Sequence, residues 1–230
     1  MLKDRNKVAG NANSVDGNDN SLIGNENLIK GDENKVKGDQ NKVLGSANLL
    51  AGDKNALLGS NNAVAGSDNT LKGSNNTVLG DKNAILNGNL NQINGSKNMI
   101  KNGDSNILEG SENLVDGHGN KLKTNSSTVQ GNLNEAIGNN LIIQGSQNLL
   151  NGNNSKIIGS ENILVGNDNL VFGNKNELSG SKNKIDGEMN KVGGEDNTVK
   201  GRVNEVLGNK NAIEGDINKV IGDENRIKGN

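Results

Sequence analysis

The chain has 230 residues, 33 of them glycine, with no proline, cysteine, tryptophan or tyrosine and a single phenylalanine. A net charge of -2, from 25 basic and 27 acidic side chains, gives no electrostatic reason to prefer nucleic acid or an anionic membrane, and there are no aromatic platforms for base stacking. The lack of cysteine excludes a disulfide framework and a thiolate site.

From residue 4 to residue 229 the sequence reads as 32 modules, thirty of seven residues and two of eight. The register is plainest in DENKVKG DQNKVLG, residues 32 to 45, where Asn34, Val36 and Gly38 recur as Asn41, Val43 and Gly45. Position 3 is Asn in 29 modules, and position 5 is Val, Leu or Ile except at Ala136. Position 7 is Gly except at Thr124. A coiled coil needs two apolar positions per heptad, and only one is present here. A glycine every seven residues would cost roughly 1 kcal/mol each in a helix. Strand geometry fits instead, because positions 3 and 5 share one side of a period-two chain and the glycine supplies a corner. The expected fold is all-β, a two-sided β-roll or β-solenoid of about 16 coils, each made of two modules, forming a single repeat domain over 1–230 about 75 Å long. The Asn column is expected to face inward, pairing up and down the stack and satisfying backbone groups at the corner.

Along the chain, odd and even modules fall on opposite faces, with positions 4 and 6 outward. Lys35 and Lys37 on the odd face are followed by an apolar run of Leu49 with Ala51, Ala63 with Ala65, and Thr77 with Leu79, a contiguous stripe that reads as a contact surface. The two long modules place extra residues near 87 and 102, in adjacent coils, as an aligned bulge. Residues 118 to 159 are irregular: Thr124 replaces the corner glycine, and Ser127, Leu141 and Ser155 replace the column Asn. A second apolar group follows, with Ile142, Ile158, Leu170 and Phe172 on the even face and Ile163 and Val165 on the odd face. His118 has no second histidine or cysteine to complete a metal site, and Asp32, Asp39, Asp53 and Asp81 read as turn residues rather than calcium ligands. No nucleophile elbow, zinc signature or P-loop occurs, so neither catalysis nor a cofactor is expected. No apolar run is long enough for a membrane span, and the start MLKDRNKVAG has no signal-peptide core. With the lack of cysteine, this favours an intracellular setting, or an extracellular one if a leader has been removed.

The Asn-x-Val-x-Gly module, as in Asn6-Lys7-Val8-Ala9-Gly10 and Asn76-Thr77-Val78-Leu79-Gly80, resembles the repeat of the ice-binding, recrystallisation-inhibiting proteins of cold-hardy grasses. The resemblance spans nearly the whole chain. It implies a short β-roll of about 14 residues per coil with stacked inward Asn and Val, and ice as ligand on a flat face of outward Thr and Ser around the Val. Outward Thr at position 4 occurs only at Thr70, Thr77, Thr128 and Thr198, and the surface otherwise changes from coil to coil. A periodic ligand wants a periodic face, whereas protein partners do not. The surface therefore points to a non-catalytic, rigid structural or protein-interaction solenoid, part of a larger assembly and contacting other proteins along its sides or at its ends. Ice binding is the alternative.

Overall fold

The computed structural model describes residues 5–228 except 188, 202, 217 and 218. The chain divides into two compact units, residues 1–119 and 120–230. Every regular element among the described residues is a strand, most of them three residues long.

In the first unit the odd strands are β1 (Lys7–Ala9), β3 (Ser21–Ile23), β5 (Lys35–Lys37), β7 (Leu49–Ala51), β9 (Ala63–Ala65), β11 (Thr77–Leu79), β13 (Gln92–Asn94) and β15 (Ile107–Glu109). The even strands are β2 (Ser14–Asp16), β4 (Leu28–Lys30), β6 (Lys42–Leu44), β8 (Ala56–Leu58), β10 (Thr70–Lys72), β12 (Ala84–Ile85), β14 (Met99–Ile100) and β16 (Leu114–Asp116). Each set forms its own parallel sheet in which a strand pairs with the one a coil later, so that Lys35, Val36 and Lys37 lie beside Leu49, Leu50 and Ala51. The result is a β-solenoid of two-module coils, as the period requires.

Position 5 fills the space between the sheets. Val36, Val43, Leu50 and Leu57 are all at most 4% exposed. Position 3 lies beside it, equally buried, and its amide is fully used. Asn34 Nδ2 donates to Asn20 Oδ1 at 3.0 Å and to the Gly45 carbonyl at 2.9 Å. Asn34 Oδ1 in turn accepts from the backbone N–H and Nδ2 of Asn48, at 3.1 and 3.0 Å. The pairing expected along the stack and the satisfaction of a corner carbonyl both occur, on one side chain.

The corner glycine is required twice over. Gly38 has φ of 135°, and a Cβ there would overlap the carbonyl oxygen of Gly52 in the next coil. The corner also holds a residue whose type gave no hint. At nearly all described modules the non-glycine residue at position 2 adopts a left-handed conformation, with φ between 51° and 62°, although Lys, Glu, Leu and even Val203 occupy it. Such residues avoid this region when free, at roughly 1–2 kcal/mol each. Here the backbone holds them, because the N–H of Glu33 donates to the Asn18 carbonyl and that of Lys54 to the Asp39 carbonyl, both at 2.9 Å.

The second unit repeats the design with β17 (Lys121–Asn125), β19 (Glu135–Asn139), β21 (Leu149–Asn151), β23 (Ile163–Val165), β25 (Glu177–Ser179), β27 (Lys191–Gly193), β29 (Glu205–Leu207) and β31 (Lys219–Ile221) in one parallel sheet. The other holds β18 (Thr128–Gln130), β20 (Ile142–Gln144), β22 (Lys156–Ile158), β24 (Leu170–Phe172), β26 (Lys184–Ile185), β28 (Thr198–Val199), β30 (Ala212–Ile213) and β32 (Arg226–Ile227). Its irregularities are absorbed locally. Thr124 cannot turn as glycine does, so β17 runs on through the corner, pairing Thr124 with Gly138 and Asn125 with Asn139. Ser127 and Ser155 keep the acceptor role of the missing Asn, taking the N–H of Leu141 at 3.0 Å and of Asn169 at 3.2 Å. Leu141, fully buried between these two small side chains, offers no side-chain oxygen, although its backbone carbonyl still accepts the Thr128 N–H at 2.8 Å.

Two outcomes follow from this accounting. Asn48→Ala removes an amide that serves three neighbours and should destabilise the roll by about 1–3 kcal/mol, read from denaturant unfolding. In hydrogen exchange, residues 118 to 159 should be less protected than residues 32 to 80, because the Asn and Gly columns are interrupted there. Equal protection would show that the serine substitutes suffice.

Candidate functional site

Of the sequence-selected surface residues, six come together on one sheet of the first unit. Parallel pairing stacks Leu49, Ala63 and Thr77 in one outward column and Ala51, Ala65 and Leu79 in the next. Neighbouring strands lie about 4.8 Å apart. The inward neighbours Leu50, Val64 and Val78 are buried. Behind the strands the Asn ladder is unbroken: Asn62 and Asn76 donate their N–H to Asn48 and Asn62 Oδ1, each at 3.0 Å.

A second ladder, which was not anticipated, runs along the corner that leads into these strands. The N–H of Ser46 donates to Ser60 Oγ and that of Ser60 to Ser74 Oγ, both at 3.0 Å, and that of Ser74 to Asn89 Oδ1 at 2.7 Å. The same holds around the unit. Asp32, Asp39, Asp53 and Asp81 each accept an N–H from the preceding coil, at 2.6, 2.6, 2.7 and 2.7 Å. They therefore link coils, where a local turn role was expected. A signal was present in the sequence: position 1 is Asn, Asp or Ser in all but four modules, residues that share a short side-chain acceptor. One exception, His118, does the same job, its Nδ1 accepting the Asp104 N–H at 3.0 Å.

The even face of the same coils is less uniform. Lys42, Leu44, Ala56, Leu58, Thr70 and Lys72 surround a shallow depression of about 280 Å³ there. The second apolar group, in the second unit, is divided. On one sheet Ile142 and Leu170 flank Lys156 in a column, with Ile158 beside Phe172. Ile163 and Val165 belong to the other sheet, where Glu177 and Ser179 follow them. At the corners of the long modules Asn87 Nδ2 donates to Asn102 Oδ1 at 3.4 Å, and Asn102 Nδ2 to Asp116 Oδ1 at 3.2 Å. Among the described residues no group of three or more His, Cys, Asp or Glu side chains could hold a metal ion, and no helix is long and apolar enough to cross a membrane.

The family model described as grass antifreeze beta roll matches residues 2–85, 72–159 and 153–230. The chain belongs to this family. The inward Asn and Val columns and the glycine corners of this grass antifreeze beta roll are the features that carried the resemblance in its sequence. No curated protein matches the chain. Among solved structures, it is 14% identical to a Francisella novicida UDP-N-acetylglucosamine acyltransferase over 86% of this chain, with a TM-score of 0.16. The match spans 58% of that protein's length. It is also 14% identical to the polySia specific acetyltransferase NeuO, over 98% of this chain and 82% of the other, with a TM-score of 0.14. Neither likeness carries an argument about this grass antifreeze beta roll.

Proposed function

We propose that the chain binds ice, without catalysis, through the odd face of its first unit at β7, β9 and β11. The observation that carries this is the stripe Leu49, Ala51, Ala63, Ala65, Thr77 and Leu79, three consecutive coils with uncharged outward side chains in strict register, in a chain of an antifreeze family. Ice is a periodic ligand, so its host must repeat at fixed spacing and lose little freedom on contact. Alanine has no side-chain rotamers to lose, and Thr is stiff at χ1. The Asn and Ser ladders beneath and beside the strands hold the backbone in place before contact, which lowers the ordering required at binding. The methyl groups of Ala63, Ala65 and Thr77 offer a shallow surface on which ordered water can sit, and the Thr77 hydroxyl offers a hydrogen bond.

A structural or protein-docking role is favoured by a different observation, the exposed apolar residues Ile142, Ile163 and Val165 in the second unit, where the surface does not repeat. It is the reading to adopt if ice binding fails.

Ice recrystallisation and crystal shaping with the purified chain at micromolar concentration separate the two. The parent chain should inhibit growth. Ala63→Lys combined with Thr77→Lys should reduce that activity more than about tenfold, because long side chains lose rotamer freedom when fixed, and should leave the thermal midpoint unchanged. An inactive parent chain that binds a protein partner through Leu49 or Leu170 would replace ice by that partner.

A further inference from the structure

The odd sheet of the first unit contains a longer uncharged face than the three strands assigned to ice. From β3 to β13 the outward residues are Ser21 with Ile23, Lys35 with Lys37, Leu49 with Ala51, Ala63 with Ala65, Thr77 with Leu79, and Gln92 with Asn94. Six consecutive strands thus carry two charges, both on β5. Pairing places Lys35 between Ser21 and Leu49, and Lys37 between Ile23 and Ala51, so the two lysines cut both outward columns at the same coil.

These lysines have no visible structural task. Both are exposed, and among the described residues neither forms an ion pair or a side-chain hydrogen bond. Elsewhere in the chain, outward lysines do pair between coils, as Lys121 does with Glu135 at 3.2 Å and Lys219 with Glu205 at 3.3 Å. The strand itself is held by Val36 in the core and Asn34 in the ladder, which do not depend on what points outward.

Resting on the ice-binding reading above, we propose that Lys35 and Lys37 bound the ice site and limit its strength. A lysine ammonium is a strongly hydrated point charge on a flexible four-carbon stem. It organises water around itself rather than along the strand repeat, and its stem must be immobilised before a flat ligand can pass over it. The contact therefore stops at β7. Between β7 and β13 the uncharged run covers three strand spacings, about 14 Å, whereas β3 to β13 without the lysines would cover about 24 Å. The same fold then provides a surface more than half as long again, with Ser21 and Ile23 joined to it.

The test is a gain of activity. Lys35→Thr with Lys37→Ala should lower the concentration needed to inhibit ice recrystallisation by roughly tenfold relative to the parent chain. The control is Lys30→Ala with Lys42→Thr, the same change of charge in neighbouring strands of the even sheet, which should leave activity at the parent value. Far-ultraviolet circular dichroism and the thermal midpoint verify that all three chains are equally folded. An odd-face variant no better than the parent overturns the proposal, and so does an equal gain in the control, which would trace the effect to net charge. The activity of the parent chain alone reads the ice-binding assignment. A parent without activity whose odd-face variant acquires it would overturn that assignment for the natural surface and uphold the blocking role of the lysines.

Discussion

Everything in this molecule depends on the hydrogen-bond capacity of one buried amide. An Asn side chain has two donors and a carbonyl oxygen with two lone pairs, and burial makes each unfilled one costly. In the roll all four are filled: Asn34 donates to the coil before it and to a corner carbonyl of its own coil, and accepts twice from the coil after it. Aspartate would lack the donors, and serine has too little reach to replace the whole set. Because the partner in each direction is another Asn at the same position, one choice propagates through neighbouring coils. A thin apolar column such as Val36, Leu50 and Val64 could not by itself distinguish one strand register from another, whereas the amides can.

This division of labour leaves the surface free. Most strands have three residues, of which the central one is typically buried, as in β5, β7 and β9, and the two flanking ones point outward with no part in the Asn ladder. The exposed ion pairs between coils, such as Lys219 with Glu205 at 3.3 Å, are worth about 0–1 kcal/mol each and do not decide the fold. Outward residues can therefore be exchanged with little structural penalty. A regular core combined with a varied exterior is what such a scaffold permits, and where Ala, Thr and Leu coincide over β7, β9 and β11 the periodicity of the core reaches the surface.

The fold was legible because burial constrains residue type. Asn at position 3, an aliphatic residue at position 5 and glycine at position 7 each answer a demand that no other residue meets as well, and their spacing gave coil length and side-chain direction. The left-handed residue at position 2 was not legible, since its conformation is held by a neighbouring carbonyl and the side chain, as at Lys54 or Glu33, has no say. The acceptor ladder at position 1 was partly legible: Asp32 and Ser46 share little except a short oxygen, and that common property is the signal. In the irregular zone Ser127 and Ser155 keep the part of the Asn function that accepts the next backbone N–H. The candidate site was the least legible. On the ice-binding proposal Ala63 and Thr77 answer to a ligand outside the chain, and family membership, more than the residues themselves, favours ice over a scaffold.

The two eight-residue modules have a consequence for how such a chain finds its native state. Coils this similar can be miscounted: a segment that docks one coil too early still meets Asn with Asn and Val with Val, and gains almost the same free energy. Such near-degenerate threadings are the natural hazard of a repetitive sequence. The pairing of Asn87 with Asn102 exists in only one threading, since any other separates the two expanded corners and sets each against tight ones on both sides. In a molecule that is otherwise a ruler without numerals, those corners act as the numbered mark.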